Sequence, residues 1–213
     1  MNPLIDAREV LGSVRINSRR GTGLAVAAAI VLAAVSIFFF SSIPVRPAHA
    51  ATITVNTAVD NLTSGDGSCT LREAIRNANS DSDTTGGDCA AGSGADTIDV
   101  PMGDYTLAIA GKNEQAAATG DLDITVDLTI VGVGANGLGT VISGAFGVDR
   151  VFEITRIFPD PFPTVEIRDV QIKGGDPIAG FSGGQGGAIM NRGTLTLSDI
   201  ELISNRALEG GGV

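Results

Sequence analysis

Thr164-Val165-Glu166-Ile167-Arg168-Asp169-Val170-Gln171-Ile172 decides the fold, because it returns as Thr194-Leu195-Thr196-Leu197-Ser198-Asp199-Ile200-Glu201-Leu202. Apolar residues fall in the same four places and Asp169 falls on Asp199, at an offset of 30 residues (164 to 194). Polar and apolar residues alternate within each copy, the mark of a half-buried strand. A shorter echo sets Gly186-Gly187-Ala188-Ile189 over Gly210-Gly211-Gly212-Val213, at an offset of 24 (186 to 210). We take the shorter offset as the basic rung and the longer one as holding an insertion within Gly174 to Gln185. Self-similarity at such a period signals a solenoid. The expected fold class is therefore all-β, a right-handed parallel β-helix with a short N-terminal capping α-helix. Val213 falls inside what reads as a further repeat with no polar terminal cap, so a truncated chain is expected.

Short β segments continue upstream. They are Thr97–Val100, Tyr105–Ile109, Asp123–Val131, Val141–Ser143 and Val151–Ile154, with a turn at Gly132–Gly137. Asp123–Val131 reads as one alternating strand. Only 4 % of the 213 residues are aromatic, while Gly numbers 29. Such a composition suits short strands and tight turns.

Between Thr52-Ile53-Thr54-Val55-Asn56, a first strand, and these segments lies a different pattern. Cys69-Thr70-Leu71-Arg72-Glu73-Ala74-Ile75-Arg76-Asn77-Ala78-Asn79 places Leu71, Ala74, Ile75 and Ala78 on one helical face. Thr70 followed three residues later by Glu73 is a capping box. The helix is predicted from Thr70 to about Ser80, with Arg72 and Arg76 facing water. Laid over the terminal rung, it would cover the apolar end of a strand stack and its unpaired edges.

Cys69 to Ile75 reads C-T-L-R-E-A-I, one residue from C-S-L-R-E-A-I, and with its flanks from Ala51 to Leu107 it resembles the CSLREAI-domain family. Thr70 keeps the N-cap hydroxyl. The resemblance implies an N-terminal element of large secreted or surface proteins, followed by β-helix repeats, and implies no activity. Gly186-Gly187-Ala188-Ile189 with Leu202-Ile203-Ser204-Asn205 resembles the G-G-A-I and F-x-x-N repeats of polymorphic outer-membrane proteins, with Leu202 in place of Phe.

The first fifty residues read as a leader. Arg19-Arg20 precede an uncharged run from Gly23 to Phe40, and Ala48-His49-Ala50 forms an A-x-A site before Ala51. Cleavage is expected between Ala50 and Ala51. The run is also near the roughly 17–25 residues that span a bilayer, so residues 23–40 would contact the membrane if the leader were retained. The expected domains are 1–50 leader or anchor, 51–107 capping module and 108–213 β-helix repeats. Localisation is expected to be extracellular or at the cell surface, the outer membrane included. Cys69 and Cys89 both lie beyond the cleavage site. In an oxidising compartment an isolated pair reads as a disulfide, contributing about 3 kcal/mol for such a loop.

The chemistry is sparse. The one histidine, His49, lies in the leader, which removes histidine-based triads from the mature chain. Of 14 basic residues, Arg8, Arg15, Arg19, Arg20 and Arg46 precede Ala51, while only Asp6 and Glu9 of 24 acidic residues do. The mature part is thus strongly acidic and is not expected to bind nucleic acid. Gly183-Gly184-Gln185-Gly186-Gly187 lacks the Lys-Ser/Thr of a phosphate loop. Asp81-Ser82-Asp83-Thr84-Thr85-Gly86-Gly87-Asp88 has Gly92 where a calcium-binding helix–loop–helix needs glutamate, and reads as a solvated loop. Asp169, Asp199, Arg168, Lys173 and Arg192 could serve a carbohydrate-active lyase or hydrolase, but the equivalent positions of the two aspartates favour a turn or ladder role. We therefore expect a non-enzymatic, adhesin-like scaffold with no catalytic residue, cofactor or metal ligand set. Its expected partner is an extracellular ligand such as a carbohydrate or a cell surface. A polysaccharide-degrading enzyme is the alternative.

Overall fold

A computed structural model describes residues 49–213, apart from residues 136, 145–148 and 181–183. The leader reading on residues 1–48 lies outside the described residues. Ten strands and one α-helix follow: β1 (Thr52–Thr54), α1 (Leu71–Asn79), β2 (Asp96–Asp99), β3 (Gly103–Thr106), β4 (Leu122–Ile124), β5 (Leu128–Val131), β6 (Thr140–Ser143), β7 (Phe152–Ile154), β8 (Thr164–Lys173), β9 (Ile189–Asn191) and β10 (Thr194–Ile203).

All named strand pairs are parallel. One curled sheet has the order β1-β2-β5-β8-β6-β3, with β10 also on β8, and a smaller sheet has the order β4-β7-β9. The expected right-handed β-helix is not what these residues form. A solenoid requires an evenly repeating coil, and the spans between paired residues here are uneven: Thr52 with Thr97, Asp96 with Leu128, Leu128 with Val165, Thr164 with Thr194. Loops of different length separate the strands, so the chain curls without a constant period.

The register of the two long strands does follow their sequence match. Leu195, Leu197, Ile200 and Leu202 pair with Val165, Ile167, Val170 and Ile172. The ladder skips Asp169 and Asp199, which have φ of 59° and 51°. Left-handed backbone is disfavoured for L-residues but least so for Asn and Asp, so both aspartates mark a corner in the strand. On the other edge of β8 the corner is opened into a loop: β5 pairs with residues 165–168 and β6 with 170–173. Gly132 stands at that opening, where a Cβ would lie 2.2 Å from the Asp169 carbonyl oxygen. Asn205 ties the end of the long strands, donating to the Ile172 carbonyl and accepting from Gly175 N–H, each at 3.0 Å. The Gly186–Ile189 echo also stacks: Gly187 N–H donates to Gly210 and Ala188 N–H to Gly211.

The alternating run Asp123–Val131 is split. Its first part belongs to β4 in the small sheet and its second to β5 in the large one. Alternation alone carries no sign of a corner.

The helix is built as its sequence requires. Thr70 Oγ1 accepts from Glu73 N–H and Glu73 Oε2 accepts from Thr70 N–H, both at 3.1 Å. Leu71, Ala74, Ile75 and Ala78 are buried, and the helix packs on β4 and β2. Asn79 acts as a strand partner for the open edge of β4, donating to the Asp123 carbonyl and accepting from Thr125 N–H. Cys69 and Cys89 form a disulfide across a separation of 20 residues.

Arg72 departs from expectation. It is fully buried. Its Nε and Nη2 grip Asp60 at 2.7 and 3.1 Å, and Nη1 and Nη2 donate to the carbonyls of Ala117, Gly120 and Asp121. Five guanidinium donors thus meet five contacts. Periodicity placed Arg72 facing water, whereas loops from outside the helix close over it. Arg76 remains half-buried. Replacing Arg72 with Ala strands the buried Asp60 charge and should cost about 3–5 kcal/mol in chemical denaturation. Arg76→Ala should cost less than about 1 kcal/mol, and equal losses for the two would contradict the assigned roles.

Candidate functional site

The small sheet has one apolar and one polar face. Leu122, Phe152 and Ile189 share one ladder row, and Asp123, Glu153 and Met190 share the next. Successive side chains of a strand point to opposite faces. Leu122, Ile124, Phe152, Ile154 and Ile189 therefore join the core, while Asp123 and Glu153 meet as cross-strand neighbours on the other side. Like charges directly opposite are unfavourable.

Arg150, two residues ahead of β7, answers that repulsion. It is almost completely buried, and its Nη1 donates to Glu153 Oε2 at 2.5 Å. Its Nε lies 3.6 Å from both Asp121 Oδ2 and Asp149 Oδ1. Loop 113–121 covers the group. Ala117 N–H donates to Asp123 Oδ2 at 2.9 Å, and Glu114 accepts from the amides of Ala116, Ala118 and Thr119. A cavity of about 300 Å³ opens beside it, lined by Glu114, Asp149, Arg150, Glu153, Met190 and Arg192 among others. Asp121 and Asp123 lie behind that lining and are fully or almost fully buried.

Burial makes their ionisation costly. It pushes both Asp121 and Asp123 up to about 8, and the neighbouring carboxylates Asp149, Glu114 and Glu153 push the same way. Arg150 pulls Asp121 back, and the Ala117 amide pulls Asp123 back, without cancelling the rise. The arrangement can hold protons near neutral pH or gather a cation. Among the described residues, Asp121, Asp123 and Glu153 bring one oxygen each within 4.8 Å of one another.

The residues singled out from sequence are placed differently. Asp169 and Asp199 are the corner residues of adjacent strands. Arg168 pairs with Glu166 and Asp169 on a half-exposed surface, Lys173 lies 3.8 Å from Asp104, and Arg192 lines the cavity on the other sheet. They do not converge. In the loop 81–88 the carboxylates serve backbone amides: Asp88 accepts from Gly65, Asp66 and Gly67, and Asp83 from Thr85. The cluster at Asp121, Asp123, Arg150 and Glu153 escaped the sequence reading. Its signal was there: Leu122-Asp123-Ile124 and Phe152-Glu153-Ile154 each place an acid between two core residues.

No family model, curated protein or solved structure matches the chain.

The raised carboxyls fix a pH dependence. The folded state holds protons on Asp121 and Asp123 that the unfolded chain has released, so stability falls as pH rises from about 4 to about 8. In buffer free of divalent cations, denaturation midpoints should show this decline, and Asp123→Asn should shallow it. A flat profile, or one rising over that range, would contradict the burial of these groups as ionisable carboxyls.

Proposed function

We propose that the chain is an exported, non-enzymatic scaffold that binds a cell-surface ligand through residues 156–163. That loop carries the reading. Arg156-Ile157-Phe158-Pro159-Asp160-Pro161-Phe162-Pro163 joins β7 to β8. Phe158 is 81 % exposed, and Phe162 and Ile157 are each about half exposed. The Arg156 guanidinium lies 4.3 Å from the centre of the Phe162 ring and 5.9 Å from that of Phe158. Three prolines stiffen the backbone, and Asp160 N–H closes a turn on the Ile157 carbonyl. Clustered exposed aromatics beside an arginine are the usual anchors of binding surfaces. A rigid loop on a sheet scaffold loses little entropy when a partner seats on it.

Other observations support the two halves of the proposal. The carboxylates that line the cavity are engaged, Asp149 and Glu153 with Arg150 and Glu114 with three amides. A hydrolase would need two of them facing substrate as acid and base. The disulfide fits an oxidising compartment, as does the resemblance of Cys69–Ile75 to the CSLREAI signature. Ala51 N–H already donates to the buried carboxylate of Asp96 at 2.7 Å. Cleavage after Ala50 would place an ammonium there, a stronger, charge-assisted contact.

Two measurements test the reading. Exported protein should begin at Ala51 by N-terminal sequencing, and a product that keeps Met1 would contradict cleavage. In binding assays on whole cells and on isolated surface polysaccharide, the double variant Phe158→Ala, Phe162→Ala should lose at least about tenfold in affinity with an unchanged melting temperature. Undiminished binding by that variant would remove the loop from the function.

A further inference from the structure

We propose that Asp121, Asp123 and Glu153 form a divalent-cation site that takes calcium. The proposal is independent of the loop 156–163. Three observations meet at these residues.

The first is an oxygen without a partner. Asp123 is fully buried, its Oδ2 accepts from the Ala117 amide, and among the described residues its Oδ1 receives no hydrogen bond, the Glu114 carboxyl being the side-chain neighbour of this carboxylate. Buried carboxylate oxygens are rarely left so. Asp123, Asp121 and Glu153 each bring one carboxylate oxygen within 4.8 Å of the others.

The second is charge. Asp121, Asp149 and Glu153 surround the guanidinium of Arg150, and Asp123 stands opposite Glu153 in the ladder. Among the described residues, these four carboxylates have one buried guanidinium, Arg150, in their midst and a second, Arg192, at the cavity lining. Either protons or a further cation must offset the excess.

The third is size. Calcium holds oxygens at about 2.3–2.6 Å, so ligands on opposite sides of one ion lie roughly 4.6–5.2 Å apart. Three carboxylate oxygens within 4.8 Å of one another can be bridged by one such ion. Magnesium demands near-ideal octahedral geometry and keeps several waters, whereas calcium takes several carboxylates in irregular arrangement, as the three side chains here offer them. Glu153 also lines the cavity, which gives the ion a route in and room for the water ligands that calcium retains.

The competing arrangement is a proton held between Asp123 and Glu114, which needs no ion. The two are separable. The purified full chain is stripped with EDTA, exchanged into cation-free buffer at neutral pH, and titrated with calcium chloride or magnesium chloride. Heat of binding and the thermal unfolding midpoint are recorded. We expect one calcium per chain, a midpoint that climbs with calcium concentration, and weaker binding of magnesium. Asp123→Asn and, separately, Glu153→Gln should each weaken calcium binding by at least about tenfold. Asp83→Asn, in the loop whose carboxylates serve amides, should bind as the parent does. If one of the two site variants does not fold, the other decides. Absence of a calcium-dependent heat and midpoint shift in the parent overturns the site in favour of the shared proton. Parent-like binding by both site variants overturns it in favour of another acidic patch, and equal affinity for magnesium overturns the choice of calcium.

Discussion

The bidentate grip of Arg72 on Asp60 is the interaction on which the N-terminal part of the molecule depends. A guanidinium removed from water is tolerated only when its donors are matched and its charge is answered. Asp60 supplies the charge, and three carbonyls of residues 117–121 take the remaining donors. Asp60 in turn accepts from Ala108 and Ile109. One side chain on the helix therefore fixes the segment before it and two segments after it. The disulfide and the capping box hold the helix itself, but the arginine sets where the following loops lie.

That placement reaches the carboxylate cluster. Two of the three carbonyls bound by Arg72 belong to Gly120 and Asp121, and Ala117 both accepts from Arg72 and donates to Asp123. Asn79, at the end of the same helix, bonds the backbone on both sides of Ile124. The helix thus holds the strand and the loop that carry Asp121 and Asp123. Arg150 works from the opposite side, through β7. Two buried arginines bracket the acidic group, one through backbone and one through charge.

Local structure was largely legible. Thr70 and Glu73 specify a helix start through hydrogen bonds spanning three residues, and nothing distant can alter them. The register of residues 164–173 over 194–203 was legible because two copies with the same alternation and the same aspartate admit one alignment. The global architecture was not. A repeated pair of strands does not fix how many residues each turn of the chain will take, and the loops between the other strands break the period. Arg72 was misplaced because helical periodicity reports the face of a helix, whereas burial of an arginine depends on segments 12 and 45 or more residues away. The acidic cluster was hidden for a related reason. Asp123 and Glu153 meet only through a ladder pairing that neither segment announces, and Arg150 precedes its strand with no motif of its own.

The corner at Asp169 has a consequence for how this chain can vary. In β8 and β10 the corner is a single aspartate in left-handed backbone, and one layer away β5 ends at Val131 and β6 begins at Thr140, both keeping their pairing with β8. The ladder on either side does not sense what the corner holds. Length can therefore change at that point without shifting register, so this edge offers a graft position where a foreign peptide could be displayed from the sheet at low cost in folding.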